Sequence, residues 1–386
     1  MKRLQTTLLA AALLGTSAAS MAEDAALKVG LMLPATGTYA QLGTAIENGF
    51  KLYVDQAGGK LGGRGVEYVK LDDESDPAKA TDNINKLIKS DKVDVVVGTV
   101  HSGVAAAMAK VAKQTGTLLV VPNAGSAMIT GPMCAPNIFR SSFSNRQPGF
   151  AMGKVAAEKG YKKVATITWK YGAGEESVGG FKEAFEADGG EVVKELYVPF
   201  PNVEFQALLT EIAALKPDAV YSFFAGAGAV KFVKDYKAAG LMDSIPLLGA
   251  GFLTDGTLKA QGGDGEGLLT TLHYADELDN ETDKAFRKAY SEAFDTVPDV
   301  YAVQGFDAAQ ILDIGLQAAG GDVSKTADIA AAVEATEIDS PRGKFTLSRA
   351  HNPIQDIYLR EAKGEENVVI GVAVEKLDDP AKGCRL

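Results

Sequence analysis

A histidine and a serine stand side by side in Gly98-Thr-Val-His-Ser-Gly103, as His101 and Ser102. As a base and its nucleophile they fail on geometry. Adjacent residues rarely reach the mutual orientation that proton transfer needs, and no orienting acid is evident. As ligand contacts they fit better: at the start of a helix, the Ser102 hydroxyl and nearby amides can face a polar group. The same hydroxyl can also cap its own helix. A second loop, Pro122-Asn-Ala-Gly-Ser-Ala127, carries Asn123, Ala124, Gly125 and Ser126. Its small residues leave backbone amides open, which suits a carboxylate or another anion.

Three loops later in the chain offer bulk instead of polarity. Trp169-Lys-Tyr-Gly-Ala-Gly174 presents Tyr171, a ring with a hydroxyl, before two glycines. Phe223-Phe-Ala-Gly-Ala-Gly228 holds Phe224 and Ala225, and Gly249-Ala-Gly-Phe252 holds Gly251 and Phe252. Such runs can border a flat or greasy ligand, although Phe223, Phe224 and Phe252 equally suit core packing.

The usual catalytic constellations are missing. The three histidines, His101, His273 and His351, are far apart, and neither H-E-x-x-H nor C-x-x-C occurs, so no metal site is expected. G-x-S-x-G is absent. The Gly- and Thr-rich stretch Pro34 to Gly43 is not G-x-G-x-x-G, and no P-loop pattern occurs, so no nucleotide cofactor is expected. Asp72-Asp73-Glu74-Ser75-Asp76 resembles a cation site. A strand end and a helix cap account for it better, with Asp76 capping and Pro77 at the first helical position.

The elements that must position these loops alternate. Short apolar runs at Lys28–Leu33, Val66–Leu71, Val93–Val97 and Thr117–Val121 read as strands, separated by helical stretches at 41–57, 76–88 and 102–114. The pattern restarts after Phe150, with strands expected at 163–168, 191–198, 219–224, 246–249 and 268–272. Helices follow near 282–294, 301–318 and 329–335, then strand signals at 343–347, 357–361 and 367–374. Alternation with nearly continuous apolar strands predicts an α/β architecture with two doubly wound parallel sheets, each covered on both faces. In such sheets ligands sit at the carboxyl ends of the strands, where the loops above fall.

The whole chain sets the setting. Lys2 and Arg3, an apolar run from Leu8 to Leu14 and small residues up to Ala22 predict a cleaved signal peptide over 1–22. No cysteine stands at the cleavage site, so a free periplasmic protein is expected, not a lipid-anchored one. Cys134 and Cys384 are the only cysteines, and an oxidising compartment predicts that they pair. The net charge is −11, which disfavours nucleic-acid and anionic-membrane partners. The length suits two domains.

Lys28-Val-Gly-Leu-Met-Leu-Pro-Ala-Thr-Gly37, Glu47-Asn-Gly49, Asp76-Pro77, Gly98 with Ser102, Tyr171-Gly172-Ala-Gly174, Ala239-Gly-Leu241, Gly265-Glu-Gly-Leu-Leu269 and Phe306-Asp-Ala-Ala309 occur in order along the chain. Together they resemble the leucine/isoleucine/valine-binding protein family, over essentially the whole mature chain. The resemblance implies a type I periplasmic binding fold. Its two lobes, 25–142 plus 275–345 and 143–274 plus 346–386, would be joined by three crossovers. It implies a monomer that closes by a hinge on a small molecule and delivers it to the permease of an ABC importer. A sensing module is the other role open to such a fold. By position, Leu42 falls where the family places an aromatic side chain over the ligand. Ser102 matches the serine at the ligand carboxylate, Ala124, Gly125 and Ser126 the small residues completing that site, and Tyr171 the closing tyrosine. The match breaks at Gly249-Ala-Gly-Phe252, where amino-acid binders carry an acid for the ligand's ammonium, and at Ala225-Gly226, which lacks the expected tyrosine. A buried ammonium without an anionic partner is costly. The expected ligand is therefore a carboxylate with an aromatic or apolar body, lying against Leu42, Phe224 or Phe252, with a branched-chain amino acid as the alternative. The family's early disulfide is absent, because Ser75 precedes Asp76-Pro77.

Overall fold

The computed structural model describes residues 25–276 and 278–386. The expected signal peptide lies outside the described residues. The first half runs β1 (Leu27–Leu33), α1 (Ala40–Gln56), β2 (Lys60–Leu61), β3 (Arg64–Asp72), α2 (Pro77–Asn85), β4 (Val95–Val97), α3 (Ser102–Thr115), β5 (Leu118–Val121), α4 (Ala127–Thr130) and β6 (Ile138–Arg140). It continues with α5 (Arg146–Glu158), β7 (Lys163–Lys170), α6 (Gly172–Ala187), β8 (Glu191–Pro199), α7 (Gln206–Leu215), β9 (Ala219–Phe223), α8 (Gly226–Ala238), β10 (Leu247–Ala250), α9 (Leu258–Gln261) and β11 (Leu269–Leu272). Three helices and three strands complete it: α10 (Glu281–Phe294), α11 (Val300–Ala318), α12 (Thr326–Glu334), β12 (Thr346–Leu347), β13 (Pro353–Lys363) and β14 (Glu366–Leu377).

The strands form two sheets. The first has the order β2-β3-β1-β4-β5-β6 and is parallel apart from the β2–β3 hairpin. In the second, β8-β7-β9-β10-β11 are parallel, and β13 joins β11 antiparallel with β12 and β14 beside it. Strand order reverses between β1 and β4 in one sheet and between β7 and β9 in the other. Those reversals open the crevices where open α/β sheets hold ligands.

The chain passes between the two sheets three times: after β6, after β11 and after α12. This places the late helices. Helix α11 packs along α1, so close that a Cβ on Gly49 would stand 1.9 Å from the Ala302 carbonyl oxygen and one on Gly305 2.0 Å from that of Ile46. Only glycine permits that approach. Asp313 of α11 further accepts from Tyr53 Oη at 3.0 Å and from the Gly62 amide at 2.8 Å. Strands β12 to β14 return to the second sheet.

Two elements depart from the sequence expectation. The second unit starts at Arg146 and not after Phe150, and the short strand β6 precedes it. Pro148, Gly149 and Gly153 disguise α5 as a loop. Yet Pro148 lies in its first turn, where a missing amide costs nothing, and the glycines let α5 press against the Ser177 and Phe181 carbonyls of α6. Cys134 and Cys384 are joined, with Cα atoms 5.5 Å apart, which fixes the tail beyond β14 to the segment before β6. Among the described residues, no helix is long and apolar enough to cross a membrane.

Candidate ligand-binding cleft

The carboxyl ends of both sheets face one another across a small cavity. Tyr39 and Leu42 reach it from the β1 loop, Val100 and Ser102 from the β4 loop, and Asn123 and Gly125 from the β5 loop. From the opposite sheet come Tyr171 and Ala173 after β7, Phe223 and Ala225 at the end of β9, and Phe252 after β10. Phe143 and Asn145, on the first crossover, and Tyr301, in the first turn of α11, complete the wall. The space left between these walls is about 20 Å³. That is room for about one water molecule.

One part of the wall is polar and neutral. Ser102 Oγ accepts from Asn145 Nδ2 at 3.2 Å, and the same nitrogen donates to Glu176 Oε2 at 2.7 Å. Asn123 Nδ2 donates to Gln304 Oε1 at 2.7 Å, and Gln304 Nε2 lies 3.2 Å from His273 Nε2. An amide nitrogen only donates, so His273 Nε2 accepts and its proton sits on Nδ1. Burial, and then the charges of Arg342 and Arg360, hold His273 well below the usual histidine range, so it is neutral. The remaining wall is aromatic: Phe252 lies 4.7 Å from Phe143, 5.9 Å from Phe223 and 6.1 Å from Tyr301 between ring centroids.

Contacts cross the cleft from sheet to sheet. Tyr39 Oη and Tyr171 Oη are 2.9 Å apart. The Glu176 carboxylate, on α6, accepts from the Ala127 amide at 3.0 and 3.1 Å, at the start of α4. Burial raises the Glu176 carboxyl above its ordinary range, against the pull of Asn145, Ala127 and Arg140.

Of the residues expected to meet a ligand, Leu42, Ser102, Asn123, Gly125, Tyr171, Ala225 and Phe252 line the cavity. His101, Ala124, Ser126, Phe224 and Gly251 do not. His101, and not Ser102, caps the helix. Its Nδ1 accepts from the Gly103 amide at 3.0 Å, while its ring stacks on Tyr171 at 4.8 Å. Burial lowers its pKa to about 4, so it is neutral and frees the Ser102 hydroxyl for the cavity. Ser126 Oγ accepts from Met128 N and caps α4. Its neighbour Ala124 is buried behind the loop, its amide bound to Thr99 O at 3.0 Å. Phe224 turns into the second core, against Trp169, Phe205 and Phe232. The alternation of a strand sends neighbours to opposite faces, so Phe223 takes the cavity side.

Gly251 has a separate explanation. A Cβ there would stand 2.5 Å from both Arg360 Nη2 and Leu272 Cβ. The Arg360 guanidinium occupies that space, donating to Gly251 O at 3.0 Å and pairing with Asp255 at 2.7 Å. An acidic side chain at this position has no room. The Asp72–Asp76 cluster is likewise structural. Asp72 accepts from the Ala35 amide at 2.8 Å and from Thr36 Oγ1 at 2.7 Å, Asp73 accepts from Thr99 Oγ1, and Asp76 caps α2 through Ala78 N at 2.9 Å.

Tyr39, Val100, Phe143, Asn145, Ala173, Phe223 and Tyr301 line the cavity without having been singled out as contacts. Tyr39 lies inside a stretch already marked as a candidate loop. Phe143 and Asn145 follow β6, a strand that the sequence pattern does not show, and Tyr301 follows no strand, so no local pattern marks them.

Known proteins show the same architecture. An ABC-transporter solute-binding protein from R. palustris, solved in complex with benzoate, is 56% identical, with a TM-score of 0.91 over 94% of this chain and 100% of its own. A second, from Rhodopseudomonas palustris BisB5 in complex with 3,4-dihydroxybenzoic acid, is 32% identical, with a TM-score of 0.86 over 92% of this chain and 99% of its own. The Leu/Ile/Val-binding protein homolog 6 of Brucella melitensis biotype 1 is 31% identical over 94% of this chain and 95% of its own length. The periplasmic binding protein family matches residues 26–367, and the chain belongs to it.

Proposed function

We propose that this protein captures a small aromatic carboxylate in the cleft between its two lobes, by hinge closure, and hands it to the permease of an ABC importer. One observation carries the ligand class: among the described residues, none that lines the cavity is acidic or basic. An α-ammonium group would be buried there without an anion, at a cost of several kcal/mol. A carboxylate finds neutral donors instead, from the Ser102 hydroxyl and the open backbone around Gly125. A flat ring has aromatic and apolar partners in Phe143, Phe252, Phe223 and Leu42. The benzoate and dihydroxybenzoate complexes of the two similar proteins support this reading. The lobes are taken as 25–142 plus 275–345 and 143–274 plus 346–386. The protein acts as a periplasmic monomer after removal of residues 1–22, and binding, not turnover, is its task.

A thermal-shift series tests this. Benzoate at about 100 times its dissociation constant adds roughly 2.7 kcal/mol of stability and raises the melting temperature. Leucine, isoleucine and valine leave it unchanged. The second reading, a branched-chain amino-acid binder, rests on the 31%-identical Brucella relative. It gains if those amino acids shift the melt and benzoate does not.

A further inference from the structure

Tyr301 is fully buried, its ring lines the cavity, and its hydroxyl has no hydrogen-bond partner. Of the cavity-lining side chains among the described residues, it is the one that combines complete burial with an unpaired polar atom. The other hydroxyls are engaged: Tyr39 with Tyr171, and Ser102 with Asn145. Buried hydroxyls in folded proteins are paired, so an unpaired one facing a cavity marks where a ligand atom belongs.

The surroundings decide what kind of atom. Tyr301 enters beside Phe252, at the start of α11. That helix is capped by Asp299, whose Oδ1 accepts the Tyr301 and Ala302 amides, each at 3.0 Å. Asp255 and Asp299 lie close enough for their charge to push the Tyr301 phenol up, with burial the larger cause, so the phenol stays protonated. The nearby cation, Arg360, is already paired with Asp255 at 2.7 Å, so nothing at this end is left to hold a carboxylate. The ligand carboxylate belongs with the Ser102 hydroxyl and the open backbone around Gly125. What remains for Tyr301 is the other end of the ligand, where a neutral group fits.

We propose that Tyr301 is a specificity-determining residue whose hydroxyl pairs with a hydroxyl group on the ring of the ligand, so that the preferred ligand is a hydroxylated aromatic carboxylate and not the bare acid. This rests on the aromatic-carboxylate reading and sharpens it. A ligand without the hydroxyl leaves the Tyr301 oxygen buried and unpaired, which costs about tenfold to a hundredfold in affinity. Each phenol keeps its own proton and one donates to the other, so no change of charge is involved.

The test is calorimetric titration of the full-length mature protein and of Tyr301→Phe with benzoate, 3-hydroxybenzoate and 4-hydroxybenzoate. The expected result is that one hydroxybenzoate binds wild type at least about tenfold more tightly than benzoate. In Tyr301→Phe that preference collapses to less than about threefold, with benzoate affinity kept or improved. Benzoate binding wild type as tightly as both hydroxybenzoates overturns the inference and leaves the aromatic-carboxylate reading standing. So does a Tyr301→Phe variant that loses affinity for all three acids equally, which would put Tyr301 on the carboxylate. If none of the three acids binds wild type, the aromatic-carboxylate reading itself falls, and this inference with it. The wild-type titrations decide the point even if the variant fails to fold.

Discussion

Replacing Glu176, which does not itself line the cavity, removes a bridge between the two sheets. Its carboxylate accepts from the Ala127 amide, on the side of the first sheet, and from Asn145 Nδ2, which also supports Ser102. Hydrogen bonds to a charged group contribute about 1.5–3 kcal/mol each when buried. The Glu176 side chain is only partly buried, and water can replace some of what is lost. A net loss of about 1–2 kcal/mol from the closed state is therefore expected in Glu176→Ala, a factor of roughly 5 to 30. The open state lacks the bridge, so the loss falls on release: koff rises by that factor while kon stays within about twofold. Stopped-flow fluorescence can follow this, because the single tryptophan, Trp169, lies edge-on to Tyr39 across the cleft at 6.2 Å. Glu176→Gln keeps one acceptor and should lie between the two. Burial raises the Glu176 carboxyl in the closed form, so closure takes up protons. Closure is therefore favoured as pH falls toward the carboxylate range and loses that gain as pH rises through the raised value; Glu176→Gln removes this slope. An unchanged koff in Glu176→Ala, or a loss confined to kon, refutes the bridge.

Three other perturbations have defined outcomes. Burial raises the Asp299 carboxyl to about 7 and that of Asp255 to about 6, so folding takes up protons, and stability falls as pH rises from the ordinary carboxylate range to about 7 and levels off above it. Asp299→Asn keeps the cap acceptor and should flatten that part of the slope in calorimetric melts between pH 5 and 8. Gly251→Ala pushes a methyl into Arg360 and Leu272 and should destabilise by about 1–3 kcal/mol in a denaturant titration. For the same reason Gly251→Glu should lower the melting temperature and gain no affinity for leucine. Changing both cysteines to serine frees a 250-residue loop, worth up to about 5 kcal/mol of chain entropy, and should lower the melting temperature by roughly 6 °C. No change there would mean that the reduced chain keeps its tail in place.

The sequence shows the strand-helix alternation plainly because both sheets are buried on both faces, which makes their strands short apolar runs. The loops after β1, β4, β5, β7, β9 and β10 follow from that, and with them Leu42, Ser102, Asn123, Gly125, Tyr171, Ala225 and Phe252. What the pattern hides is the choice between neighbours. Whether Phe223 or Phe224 faces the ligand depends on the phase of one strand. Whether His101 or Ser102 caps α3 depends on a backbone turn. Phe143, Asn145 and Tyr301 come from a crossover and from a helix returning from the far end of the chain, so only tertiary assembly brings them to the cavity. The open space left by Gly251 could be read as a missing acid, but not as a space filled by Arg360, 109 residues away.

The bond between Cys134 and Cys384 also changes what damage does to the molecule. Lys363 ends β13 at the exposed Gly364-Glu365 turn before β14, a natural target for a trypsin-like protease. A cut there separates the last strand and tail from the rest of the polypeptide, yet the two pieces stay covalently attached through the sulfur bridge. The same holds for any single cleavage between the two cysteines. A nicked protein would migrate as one species on a non-reducing gel and fall into two only after reduction. Outside the cytoplasm, where proteases are met without resynthesis at hand, a clipped copy can thus stay in one piece.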